Sequence, residues 1–247
     1  MSRRLRVMTI AAGMLISSAC FSQTPEEVLR RATLFGNARW LTLAISMELK
    51  GATGTRERGL EVFIARDSGA TRILVHMVSP AFLSRMKFLT HRSASGETSS
   101  WLRTSQGVRK LSRANAAERI FDSDFTVEDF TEIDLDGFAT LLLPDVLIGQ
   151  VPCKAVQLTP GFRAQYARKV FFVEMNSGSL QGIDFFDTRD ALVRQYRLMQ
   201  TRMIDGTPFP SVSVMRDLLA QTETRLTVRE IDTTTALPDK TFNKGNL

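Results

Sequence analysis

Residues 40–49 alternate without a break. Leu41, Leu43, Ile45, Met47 and Leu49 stand against Trp40, Thr42, Ala44, Ser46 and Glu48, the period of a strand with one buried face. After a turn at Gly51–Gly54, Leu60, Val62 and Ile64 repeat the pattern. Ile73, Val75 and Met77 repeat it again beyond Asp67-Ser68-Gly69. Arg56 and Arg58, then Arg66 and Arg72, suggest a charged outer face on this hairpin. Past Ser79-Pro80, the segment Phe82 to His91 sets Met86 and Phe88 on one face and Arg85 and Lys87 on the other. Ser93 to Thr98 reads as a loop. Trp101–Thr104 and Val108–Ser112 flank Ser105-Gln106-Gly107 as a hairpin.

Two stretches depart from this period. Thr24-Pro25-Glu26-Glu27 is a helix start, with a cap residue, a proline at the first position and acids in the first turn. Val28, Leu29, Ala32 and Phe35 follow at helical spacing, and Gly36-Asn37 ends a predicted helix of about three turns. Mid-chain, Arg119 to Glu132 packs Phe121, Phe125 and Phe130 among Asp122, Asp124, Glu128, Asp129 and Glu132. Asp124 or Thr126 can cap a short helix there, with Glu128 and Asp129 at its positive end.

Alternation then resumes. Asp134 to Leu143 is expected as helix or loop before Pro144. Segments 145–158, 166–175, 179–187 and 191–202 are expected as strands, broken at Thr159-Pro160-Gly161, Asn176-Ser177-Gly178 and Asp187 to Asp190. Pro208 and Pro210 mark an edge. Ser211–Asp217 and Thr222–Asp232 close the series. About ten strands at regular spacing with few helices predict a mainly β fold, one antiparallel sheet that is strongly curved or barrel-like.

Composition adds an address. Arg3, Arg4 and Arg6, the apolar run Val7 to Ile16 and the small residues Ser17, Ser18 and Ala19 have the layout of an export signal over residues 1–22, which leaves 23–247 as one domain. A lipobox reading of Ser17-Ser18-Ala19-Cys20 would put a lipid on Cys20, whereas cleavage after Ser22 would give a soluble product. In either case Cys153 is left without a partner cysteine. Of the formal +6 charge, three arginines leave with the signal. The remaining +3 does not imply nucleic acid.

The chemistry offered is thin. Asp122-Ser123-Asp124-Phe125-Thr126-Val127 fits the D-x-D-x-T-[LV] nucleophile motif of aspartate-dependent phosphatases. That reaction needs an apolar strand before the motif and parallel βαβ units after it, and the sequence has neither in evidence. His76 and His91 lie in separate strands, and HExxH, CxxC, GxSxG, P-loop and GxGxxG motifs do not occur. No metal site or cofactor is expected, and the balance favours a binder over an enzyme. Its site would be the concave face, where alternating apolar residues line a cavity. The candidates are Leu43, Ile45, Met47, Val62, Ile64, Val75, Met86 and Phe88, joined by Phe172 and Phe185. The same stripe is equally what a solid core requires.

Phe121 to Phe130 resembles the "F-x-G-S/T-D-F-s-y-E-D-l" signature of the LolA-like outer-membrane lipoprotein-sorting family, in the branch often found beside RND-type exporters. Ser123, Asp124, Phe125, Glu128, Asp129 and Phe130 fall in register, while Asp122 replaces the usual glycine and Val127 the usual aromatic. Pro80, Lys87, Leu89, Trp101, Arg109, Lys110, Leu111 and the ending Leu237 to Phe242 also match. The resemblance implies an incomplete β-barrel with a helical lid that carries lipid or lipoprotein acyl chains across the periplasm. Phe121, Asp124, Phe125, Asp129 and Phe130 would belong to the lid or plug, and the N-terminal helix would cover one opening. It also implies a second reading, a sensor or accessory module of the same fold that docks an RND-type transporter.

Overall fold

The computed structural model describes residues 23–32, 34, 35, 38–131 and 135–247. The signal segment 1–22 with Cys20, the helix stop Gly36-Asn37 and Glu132 of the motif lie outside these residues. Among them are one α-helix, α1 (Pro25–Arg31), and thirteen strands. The first six are β1 (Trp40–Gly51), β2 (Gly54–Asp67), β3 (Ala70–Ser79), β4 (Lys87–Arg92), β5 (Thr98–Thr104) and β6 (Gly107–Leu111). The next four are β7 (Phe138–Ile148), β8 (Val151–Pro160), β9 (Arg168–Glu174) and β10 (Leu180–Phe186). The last three are β11 (Leu192–Ile204), β12 (Thr207–Asp217) and β13 (Thr222–Asp232).

All thirteen form one antiparallel sheet in the order β6-β5-β4-β3-β2-β1-β13-β12-β11-β10-β9-β8-β7. The chain starts in the middle and meanders out to one edge at β6. It then crosses to the opposite edge at β7 and meanders back until β13 lies beside β1. That topology explains the mid-chain segment. The connection from β6 to β7 must traverse the whole sheet, and it does so across the concave side. Ile120, Phe121, Phe125, Val127 and Phe130 are there buried in the same core as the inner faces of β1–β4.

The central strands form as their period dictates. Leu43 faces Val62 on one side and Ile231 on the other, and Ile45 faces Leu60 and Val228. Each such side chain contributes about 1.5–3 kcal/mol when fully buried. The same parity corrects the expected charged outer face of the hairpin. Arg58 shares a face with Leu60 and Val62, so it points into the concave side, is buried, and holds Asp122 at 3.0 Å. Arg56 is exposed, and Arg72 lies outside and bonds Asp239 at 2.8 Å.

Four other expectations shift. The N-terminal helix begins at the foreseen cap residue, Thr24, which forms a capping box with Glu27, but it ends at Arg31, since Ala32 is already extended. The mid-chain helix is instead a hairpin-like turn, Ile120 N–H to Phe125 O at 2.9 Å, followed by one 3-10 turn, Val127–Phe130. Phe121 and Asp122 adopt φ of +56° and +55°, which no helix accommodates, and which accounts for the usual glycine where this chain has Asp122. Residues around Pro144 are strand rather than helix or loop. β7 is an edge, and its ladder to β8 is interrupted between Leu143 and Val146, so the missing N–H is tolerated. The segment 145–158 divides at Gly149, whose φ is +63°. Pro208 and Pro210 pair only with β11, because β12 joins β13 from Val212 onward, so they do front an unpaired stretch.

On the convex side, Leu237, Phe242 and Leu247 pack on Ala65, Leu74 and Leu89 between Trp40 and Trp101. His91 Nε2 holds the carbonyl of Phe242 at 2.9 Å. Burial lowers the pKa of His91 below its ordinary 6.5, against a raising contribution from that carbonyl bond. A histidine depressed in the folded state binds its proton more readily when unfolded, so its contribution is complete above the ordinary value and is lost as pH falls through and below it. Thermal melts from pH 7.5 down to 5 should therefore show falling stability, and H91N should flatten the part of the slope that lies below about pH 6.5.

Candidate functional site

The two halves of the concave side differ. Under β1–β4 the space is filled, because Phe125 and Phe130 of the crossing segment occupy it with ring centres 5.6 Å apart, and Phe130 lies 6.2 Å from Phe88. Under β8–β10, and reaching across to Ile73 of β3, Ser100 of β5 and Leu111 of β6, a cleft of about 1330 Å³ remains. Its apolar wall includes Leu158, Phe171, Ile183 and Phe185, and Phe130 joins the lining while packing on Phe88 and Phe125 of the core. Phe138 and Phe162 meet edge to face at 5.1 Å, both on the lining. Ala32 and Phe35, just beyond α1, form another side. α1 is held over β7 and β8, and Glu26 accepts the hydroxyl of Thr140, which keeps its carboxyl below the ordinary range.

The crossing segment is latched by charge as well as by packing. Asp129 caps Thr126, accepting its N–H at 2.7 Å and its hydroxyl at 2.9 Å, and pairs with Arg194 of β11. Both side chains of that pair are about 5% exposed or less. Burial works against the Arg194 charge, but Asp129 and the Tyr166 hydroxyl, at 3.2 Å, outweigh it and raise its pKa above the ordinary value. Asp124 accepts from Arg119 at 3.1 Å, from Thr222 at 2.5 Å and from Thr224 at 2.8 Å. It ties the segment to β13. Lys169 of β9 holds Glu128 at 2.7 Å.

The sequence-derived candidates separate accordingly. Leu43, Ile45, Met47, Val62, Ile64, Val75 and Phe88 all face the concave side, each at most 5% exposed, and pack in the filled half rather than along the cleft. Met86 is half-buried against the same core. Phe172 lies on the opposite, convex face with Cys153, Ala155 and Val170, and its neighbour Phe171 faces the cleft. Phe185 lines the cleft. Of the lid set, Asp129 and Phe130 reach it, whereas Phe121, Asp124 and Phe125 are buried away from it. The lining residues that the alternation did not single out include Phe138, Phe162, Tyr166, Lys169, Phe171 and Ile183. A signal was present in Lys169, Phe171 and Val173, which alternate against Arg168, Val170 and Phe172.

A family model described as "Uncharacterized protein" matches residues 69–247. No curated protein matches the chain. Solved structures share its fold. A putative outer membrane lipoprotein-sorting protein domain from Vibrio parahaemolyticus superposes with a TM-score of 0.79 at 18% identity, over 90% of this chain and 95% of that one. A DUF1329 family protein from Desulfovibrio piger gives 0.76 at 19% identity, over 90% and 94% of the two chains. A LolA superfamily protein from Nitrosomonas europaea gives 0.69 at 17% identity, over 92% and 100%. At such identities the likeness is one of fold.

Proposed function

The chain belongs to the family matched over residues 69–247 and has the LolA-superfamily fold, and from that premise we propose that it is a non-enzymatic periplasmic carrier of lipid or lipoprotein acyl chains. The observation that carries this reading is the cleft of about 1330 Å³ on the concave side, beside the packed core. A well-packed interior leaves few voids larger than a water molecule. An acyl chain of about sixteen carbons resists water by roughly 13 kcal/mol at 0.8 kcal/mol per methylene, so crossing the periplasm calls for such a shelter. The lipoprotein-sorting description of the Vibrio relative supports the same class of cargo. Export by the N-terminal signal and movement toward the outer membrane complete the reading.

The aspartate pair argues against phosphatase chemistry. Asp122 is exposed and tied to Arg58, Asp124 is saturated by three donors, and the sheet around them is antiparallel throughout. Purified, delipidated protein should bind a fluorescent fatty acid or lipopeptide saturably. I183E puts a charge in the cleft wall at a cost of several kcal/mol and should weaken binding at least about tenfold, or about 1.4 kcal/mol, with an unchanged circular dichroism spectrum. Absence of saturable binding to the wild type ends the carrier reading. A stable complex with an RND-type transporter's periplasmic domain, formed with the cleft empty, would instead support the accessory role.

A further inference from the structure

The cleft rim carries Arg66, Glu97, Asp136 and Arg163, and within the wall formed by β8–β10 one row breaks the apolar pattern. Lys169 stands between Leu158 of β8 and Phe185 of β10, its register partners. Its Nζ lies 2.7 Å from Glu128 Oε2, 5.6 Å from the Phe185 ring centre and 5.8 Å from that of Tyr166. Lys169 and Glu128 are 14% and 25% exposed, and both face the cleft. Tyr166, also on the lining, is 6% exposed. Its oxygen accepts from Arg194, so its own O–H proton is left to donate. Burial raises the pKa of Tyr166 and keeps that proton in place.

A shelter for hydrocarbon alone has no use for these groups. A half-desolvated ion pair is often no better than an apolar pair of the same volume, and this one interrupts the apolar row of Leu158, Phe171, Ile183 and Phe185 that would otherwise hold methylenes. We propose that Glu128, Lys169 and Tyr166 form a headgroup subsite that selects a zwitterionic lipid head bearing both a phosphate and a primary ammonium. The inference rests on the carrier reading and names the class of its cargo.

Charge compensation picks out this class. A purely anionic head drawn to Lys169 pulls the ammonium away from Glu128 and leaves a carboxylate half-buried without a partner. A purely cationic head strands Lys169 in the same way. Either outcome carries the penalty of an uncompensated charge. A head with both charges gives each wall residue a new partner in one step. Its phosphate takes the remaining N–H donors of Lys169 and the Tyr166 O–H, and its ammonium donates to Glu128. A quaternary ammonium has no N–H and satisfies Glu128 by charge alone. The acyl chain then runs along Phe171 and Ile183 toward Phe130.

The test uses the delipidated whole protein and three lysophospholipids of one chain length, with ethanolamine, choline and glycerol heads, below their micellar concentrations. The ethanolamine head should bind about tenfold tighter than the glycerol head, or about 1.4 kcal/mol, with choline between. E128Q should shift the preference to the anionic glycerol head, and K169Q should weaken all three while strengthening a simple alkylamine. Equal affinity of the wild type for all heads overturns the subsite and leaves the carrier reading standing. No binding of any of them overturns both. A wild-type preference that survives unchanged in folded E128Q and K169Q overturns the assignment to these residues.

Discussion

Arg194→Met should lower the melting temperature by about 6–20 °C. Removing one partner of a buried pair costs about 3–5 kcal/mol, and a domain of this size loses about 2–4 °C per kcal/mol. The variant leaves Asp129 in place, about 5% exposed, with only Thr126 to bond. It also removes the guanidinium from over the Phe185 ring, 4.7 Å from its centre, and from the Tyr166 hydroxyl. The loss should be largely reversed in R194M/D129N. There the amide oxygen can still accept from Thr126 while the stranded charge is gone. Differential scanning calorimetry of the two variants decides it. A melting temperature for R194M within about 2 °C of the wild type, or no recovery in the double variant, would mean the pair is not what fastens the crossing segment to β11.

The uneven legibility of the chain has a physical cause. The cleanest alternation, from Leu41 to Leu49 and again through Val62 and Val75, marked strands that are strands, and their inner faces are solid core. A filled interior demands an unbroken apolar row, because every position is in contact with another side chain. A cleft does not. Its wall tolerates Lys169 and Tyr166 among Leu158, Phe171 and Phe185, so the strands that enclose it look less regular in sequence. The best pattern therefore pointed mostly to packed core, and of its residues Ile73 reaches the cleft. Phe172 was placed inward by composition alone, whereas the parity of Lys169, Phe171 and Val173 turns it outward.

The mid-chain motif was legible as a unit but not in its form. Its acids were read as helix-favouring charges. Asp129 does cap Thr126, but Asp122 binds Arg58, Asp124 holds β13 and Glu128 meets Lys169. Each of those partners lies more than forty residues away in sequence. Local propensity cannot see them, and the helix expected there gave way to a turn that lets each carboxylate reach its own strand.

Phe130→Ala tests whether the filled and hollow halves are one space divided by a side chain. Phe130 is 2% exposed and lies at ring-centre distances of 6.2 Å from both Phe35, which lines the cleft, and Phe88, which packs in the core away from it. Truncation should cost about 3–5 kcal/mol through lost contacts and the cavity left behind. That cost should be recoverable in an unusual way. With the divide gone, an acyl chain in the cleft can extend into the vacated volume beneath β4, so its binding free energy rises at roughly 0.8 kcal/mol per additional methylene buried. Ligand binding to the folded state raises stability by RT ln(1 + [L]/Kd), so a saturating long-chain lipid should raise the melting temperature of F130A more than that of the wild type. The excess should grow with chain length in the variant and level off earlier in the wild type. Equal shifts in the two proteins, or a variant that gains nothing from longer chains, would mean that the core under β1–β4 collapses onto the gap and that Phe130 does not set the length of the cleft.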